Sequence, residues 1–245
     1  MDNGYIAVLD SGIGGFSVLC ELIKVLPHER FLYFGDNKNA PYGSKTKGEL
    51  YYLARKNLSY ILSYNVKAVV FGCNTLTMVV LPLIAPACRA PTFGVYPPNV
   101  KPRGTTYLFA TPMTCAKIKE RENLRVFPLK NLAADIERNK YRLESVDLDS
   151  HLTQAKVPTA KADTVILGCT HYFFVKNQFI DHFCPRKILS GEKSTAVKLK
   201  NYLNKNDLIR KSENFTVDFI GENSEENFIF YNSVVKDMIF GKEKN

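Results

Sequence analysis

Apolar runs closed by a glycine or an acidic residue alternate along this chain with longer stretches of helical spacing. "YIAVLD" at 5–10 is apolar almost throughout, the pattern of a strand buried on both faces. It ends at "SGIGG", after which "FSVLCELIKVL" places its apolar residues on one side of a helix. "RFLYFGD" and "KAVVFG" predict the next strands, separated by a helical stretch over 47–64, and "APTFGVY" predicts another. A second series follows: "TTYLFAT", a helix near 114–122, "LRVFPL", a helical region over 131–156, and "DTVILGC". "KILSGEKSTAVKLKNYL" reads as a turn and a helix, and "FTVDFIG" as a late strand. Strands alternating with helices imply an α/β architecture with parallel sheets.

The two series meet at "YPPNVKPRG", rich in proline and glycine, where a crossing between domains is expected near 96–104. The late helix and strand return the chain to the first unit. The expected organisation is therefore residues 1–96 plus 189–245 in one α/β domain and 97–188 in a second. "VVFGCNT" and "VILGCTH" echo one another, a hint of related halves.

Charge and composition narrow the class. The 245 residues are 45% hydrophobic, as in an ordinary globular protein, with a formal net charge of +9. The cations are scattered rather than massed, and no zinc-finger, helix-turn-helix or aromatic RNA-binding signature accompanies them, which argues against nucleic acid as a partner. Residues 68–88 carry no charge and are long enough to span a bilayer. Gly72, Asn74, Thr75, Thr77, Pro82 and Pro86 interrupt them, favouring a buried strand and helix and no membrane span. The six cysteines lack metal-ligand spacing, and the opening Met-Asp-Asn-Gly has no basic start or apolar core of a signal peptide. Reduced thiols in the cytoplasm, and no metal, are expected.

Parallel α/β sheets bind ligands at the carboxyl ends of their strands. Asp10, Asp36, Cys73 and Cys169 all fall at such ends. A helix starting just after each cysteine would present amides that favour thiolate and bind carboxylate. Cys20, Cys88, Cys115 and Cys184 read instead as small buried residues. His171, two residues past Cys169, is placed to assist that thiol. Asp10 and Ser11 could equally cap the following helix, and Asp36 could serve a turn. "SGIGG" lacks the full dinucleotide fingerprint, and no phosphate-binding GxxxxGK[ST] loop is present. Nicotinamide enzymes and nucleotide hydrolases are thereby disfavoured.

"LDSGIGGFSVL", "FGDNKNAPYGSKT", "FGCNTLT" and "LGCTHY" together resemble the glutamate racemases, cofactor-independent members of the aspartate/glutamate racemase superfamily. The resemblance implies two α/β domains with the active site in the cleft between them. It implies interconversion of L- and D-glutamate, the D isomer serving peptidoglycan, with no cofactor, and a homodimer as in many relatives. By motif it makes Cys73 the base on the D isomer and Cys169 the base on the L isomer, with Asp10 and His171 assisting. Asp10 and Ser11, Tyr42 and Gly43, Asn74 and Thr75, Thr114, and Thr170 and His171 match the substrate contacts.

The chain also departs from the pattern. Phe173 and Phe174 stand where the family places a proline shortly after "CTH", a change expected to reshape the pocket wall. Asp135 is nearest to the expected position of a family glutamate that holds the substrate ammonium or orients the histidine. Racemisation of aspartate or another amino acid, and noncatalytic amino-acid binding, are the rival readings.

Overall fold

The computed structural model describes residues 4–101, 104–211 and 214–240; residues 102 and 103 of the expected crossing, and residues 1–3 at the start, lie outside the described residues. The first series runs β1 (Tyr5–Asp10), α1 (Gly15–Val25), β2 (Arg30–Gly35), α2 (Lys47–Ile61), β3 (Val66–Phe71), α3 (Asn74–Val79), α4 (Leu81–Ile84) and β4 (Thr92–Gly94). The second runs β5 (Thr106–Ala110), α5 (Pro112–Cys115), β6 (Leu124–Pro128), α6 (Leu132–Arg138), α7 (Leu148–Gln154), β7 (Thr164–Leu167), α8 (Lys176–Phe183) and β8 (Lys187–Ser190). The chain then returns through α9 (Glu192–Lys205), β9 (Thr216–Phe219), α10 (Ser224–Phe230) and α11 (Lys236–Phe240).

Two parallel sheets result, ordered β4-β3-β1-β2-β9 and β6-β5-β7-β8. Every strand pairing in them is parallel, so helices cover both faces and the central strands are buried almost end to end. Side chains alternate between the faces. Ile6, Val8, Tyr33 and Val70 enter one core, while Ala7, Leu9, Phe34, Val69 and Phe71 enter another under α2 and α4. The first of these cores continues through Ile13, Phe16 and Leu19 to Tyr107, Phe109, Leu167 and Phe179 of the second unit. The two units thus share apolar packing, and the loops at their carboxyl ends meet, Ile13 with Glu137 at 2.9 Å and Thr75 with Thr111 at 3.0 Å.

Three expectations change. "KILS" is an edge strand, β8, rather than a turn; half-exposed, it carries no clean apolar alternation. The helix expected near 114–122 is the single turn α5, started by the Thr111 cap and Pro112 and followed by the Lys117 and Ile118 turns and the Arg121–Leu124 bridge. The strand and helix expected over residues 68–88 are present as β3, α3, α4 and a 3-10 turn, and among the described residues no helix is long and apolar enough to cross a membrane. Cys184 is exposed at the C-cap of α8, in a left-handed conformation, and Cys88 and Cys115 are half-buried; of the four read as structural, only Cys20 is buried.

Candidate active site

Asp10 ends β1, Asp36 follows β2, Cys73 lies just beyond β3 and Cys169 just beyond β7, so one sulfur comes from each sheet. Both cysteines are only 6% exposed. Helix α3 starts directly after Cys73, as the pattern requires, whereas Cys169 leads into a 3-10 turn over Thr170–Val175.

The two thiols have different surroundings. Burial and the neighbouring Asp10 charge push the Cys73 thiol well above the usual range, against hydrogen bonds from the Leu76 amide and the Ser11 side chain. The Cys169 sulfur adds to the rise, which puts the two in electrostatic reach. Asp10 is fully buried. Its Oδ2 accepts from the Gly12 amide at 2.9 Å, and its Oδ1 has no partner among the described residues. Burial raises the Asp10 pKa, with His171 and the Gly12 and Gly15 amides opposing.

Beside Cys169 the charge is of the other sign. His171 Nδ1 lies 3.9 Å from the Cys169 Sγ, and Nε2 lies 2.6 Å from Glu137 Oε1. Burial depresses the His171 pKa, but its bonds to Cys169 and Glu137 outweigh that and carry it well above the ordinary histidine value. A protonated ring donates to both neighbours, so imidazolium joins sulfur to carboxylate. Glu137 Oε1 also accepts from the Ile13 amide at 2.9 Å, tying α6 to the glycine loop after β1.

Glycines close the cleft. A Cβ on Gly14 would stand 2.5 Å from His171 Nδ1 and 2.6 Å from Thr170 Oγ1, and one on Gly43 would stand 2.7 Å from Thr111 Cγ2. Neither loop tolerates a side chain at these approaches. Opposite them, Thr75 Oγ1 meets Thr111 Oγ1 at 3.0 Å, and Thr111 donates to Thr114 at 3.1 Å, a hydroxyl cluster across the two units. The buried Asn74 amide is used differently, donating to Val95 O at 2.8 Å. Tyr42 donates its hydroxyl proton to Asp36, so that acidic residue supports the wall rather than a turn alone.

No family model matches the chain. The glutamate racemase of Clostridium novyi is 36% identical over 220 residues, covering 82% of this chain and 84% of that one. The chain belongs to the glutamate racemase family. The Clostridium acetobutylicum member is 34% identical over 224 residues, covering 84% and 87%. Among solved structures, the Thermus thermophilus glutamate racemase in complex with β-chloro-D-alanine superposes with a TM-score of 0.78 at 24% identity, over 95% of this chain and 93% of that one. The family fold, two parallel sheets with a cleft between them, is the fold found here.

Asp10, Ser11, Cys73, Cys169 and His171 lie together, Thr170 stands against Gly14 and Gly43 against Thr111, and Thr75 and Thr114 share the Thr111 hydroxyl, while Asp135 lies apart. Its carboxylate faces His151 at 3.1 Å and Asn139, and the residue that reaches His171 is Glu137, two positions later. Leu132, Ala133 and Ile136 form the buried stripe of α6, and helical spacing puts residue 137 beside that stripe. Thr111, not among the expected site residues, caps α5 before Pro112, and the same hydroxyl binds Thr75. The departing Phe173 and Phe174 pack on one another, and Phe174 on Phe230 of α10.

Proposed function

We propose that the chain interconverts L- and D-glutamate by proton transfer between Cys73 and Cys169, with no cofactor, supplying D-glutamate for peptidoglycan. One observation supports the reading: two buried sulfurs, one beyond a strand of each sheet, have electrostatic partners of opposite charge.

The α-hydrogen of an amino acid is weakly acidic, so the base must be desolvated and the developing charge held. In the L-to-D direction the Cys169 thiolate, held by the His171 imidazolium, removes the Cα proton. The C–H bond breaks, an S–H bond forms, and the electron pair spreads into the α-carboxylate. Cys73, kept as a thiol by burial and by Asp10, gives its proton to the opposite face of the same carbon. The D isomer leaves behind Cys169 as thiol and Cys73 as thiolate, the state that runs the reverse reaction. Thr75, Thr114, Thr170 and the Asn74 and Gly43 backbone are the donors for the two carboxylates. The unpartnered Asp10 Oδ1 is the acceptor for the ammonium.

Deuterium incorporation at Cα from heavy water, measured with each enantiomer, tests chemistry and substrate together. Cys73→Ser and Cys169→Ser should each abolish racemisation; near-wild-type turnover by either variant would refute the two-sulfur scheme. Turnover of L-aspartate exceeding that of L-glutamate would move the reading to the aspartate branch, and binding without exchange would make the chain a noncatalytic relative. A cytoplasmic homodimer without a nucleic-acid partner belongs to the same reading, and sedimentation tests the assembly.

A further inference from the structure

The buried positions of α2 are Leu50, Ala54, Asn57, Leu58 and Ile61, the spacing of one helical face with a single polar member. A polar side chain on such a stripe is costly unless its hydrogen bonds are made inside. Asn57, 5% exposed, makes them with the wall of the site: Nδ2 donates to Asp36 Oδ2 and to the Tyr42 hydroxyl oxygen, each at 3.1 Å. An ionised carboxylate only accepts, which dictates the end of the amide that faces it. Because Tyr42 gives its own proton to the same Asp36 oxygen, the three side chains close a triangle, and Asn39 Nδ2 donates to Asp36 Oδ1 at 2.8 Å.

This triangle decides how Tyr42 can act. Its hydroxyl proton is committed to Asp36 and its oxygen already accepts from Asn57, so the ring serves as an anchor for the 3-10 turn Tyr42–Ser44. The next residue, Gly43, is the one that meets Thr111 too closely to bear a side chain. Asp36 and Asn57 also line a cavity of about 670 Å³ with Phe34, Leu53 and Tyr60, so apolar packing does not by itself hold the anchor from that side.

We propose that Asn57 is a positioning residue for this site: acting through Asp36 and Tyr42, it holds the Tyr42–Ser44 turn against Thr111 and so sets the wall that the closed cleft presents to glutamate. The inference rests on the reading that glutamate is turned over in this cleft.

Asn57→Leu keeps the bulk and removes the donor. Asn57→Asp puts a second carboxylate beside Asp36, and the pair must then share a proton. For Asn57→Leu the expected result is a KM for glutamate raised about tenfold, the scale of the lost hydrogen bonds, with kcat changed far less. Asn57→Asp should approach wild type at mildly acidic pH, where the shared proton restores a donor, and its KM should climb as the pH rises and both carboxylates ionise. The deciding measurement is a double-mutant cycle with Tyr42→Phe: Asn57→Leu should add almost nothing on that background. Additive effects in the cycle, or a loss in Asn57→Asp that ignores pH, would overturn the proposal.

Calorimetric Kd values for D-glutamate run alongside. If the wild type binds glutamate without turning it over, the racemase reading fails, and the cycle in Kd still decides the role of Asn57. If it does neither, both fall. Should Asn57→Leu fail to fold by thermal unfolding, the pH profile of Asn57→Asp carries the test.

Discussion

Replacing Glu137 by Gln removes a charge and little else. Glu137 Oε1 accepts from both His171 Nε2, at 2.6 Å, and the Ile13 amide, at 2.9 Å, and the amide oxygen of glutamine can accept both bonds in the same place. What disappears is the ionic character of a short, largely buried contact. A hydrogen bond with one charged partner is worth about 1–2 kcal/mol more than its neutral counterpart. At a barrier that depends on the imidazolium, this is about a 5- to 30-fold loss in rate. The sign with pH follows from the direction of the His171 shift. Glu137 helps to keep the ring protonated, so in the variant the ring loses its proton at lower pH. Activity should therefore fall earlier on the alkaline side, and the gap to wild type should narrow toward acid pH.

The assay is circular dichroism of the enantiomers in both directions across pH. Free L- and D-glutamate have equal energies, so kcat/KM must drop by one common factor in the two directions. The asymmetry belongs in the isotope effect: deuterium at Cα should slow the variant more with L-glutamate, the isomer assigned to Cys169. Folding gives an independent readout. A histidine whose pKa rises on folding contributes stability that is complete below its unfolded value, about 6.5, and is lost as the pH passes the folded one. The stability deficit of Glu137→Gln should accordingly be largest at low pH and shrink as pH rises. A loss of activity equal at every pH, or kcat/KM unchanged within about twofold, would refute the assigned role of the Glu137 charge.

Three further outcomes are expected. Asp10→Asn should abolish racemisation yet raise the Tm at neutral pH, because burial lifts the Asp10 pKa and the folded state loses stability as pH rises through that interval; a lowered Tm would contradict this. Gly14→Ala should cut kcat/KM by about a hundredfold and also lower stability in urea, since its methyl group would stand 2.5 Å from His171 Nδ1 and 2.6 Å from Thr170 Oγ1 in the folded protein; wild-type kinetics would show that this close approach is not required. Lys67→Met strands Glu29, its partner at 2.6 Å in a fully buried pair, and should cost about 3–5 kcal/mol in denaturant unfolding; a cost below about 1 kcal/mol would mean that water reaches the pair.

How much of this was legible depends on which physical signal each part leaves in the chain. Buried parallel strands leave a strong one, and β1, β2, β3, β5 and β7 stand where their apolar runs predict them, with the two cysteines beyond the glycines that end β3 and β7. Strand β8 leaves almost none, because an edge strand needs no continuous apolar run. Glu137 was hidden by proximity to Asp135. Two residues apart on a helix, they point about 200° away from one another, and only the stripe of Leu132, Ala133 and Ile136 says which faces inward. Asn57 left the opposite trace, a polar residue on an apolar face, but its partners Asp36 and Tyr42 are joined to it by tertiary packing that no local pattern encodes.

The echo of "VVFGC" and "VILGC" suggests equivalent halves, yet the chemistry needs them to differ. Two identical thiols in one dry cleft would both be protonated, since burial alone penalises each thiolate. Racemisation needs one of each kind at the start of every turnover. Here the difference is built by charge: Asp10 beside Cys73 disfavours thiolate, and the His171–Glu137 pair beside Cys169 supplies a cation held in place by an anion. The glycine loop after β1 links the two, for its Gly12 amide binds Asp10 and its Ile13 amide binds Glu137. The contact between α6 and this loop therefore does more than pack the two units together: it joins the partner that orients the cation to the segment that orients the opposing carboxylate. A variant that breaks the Glu137 contacts with Ile13 and His171 should lose the charge difference between its sulfurs.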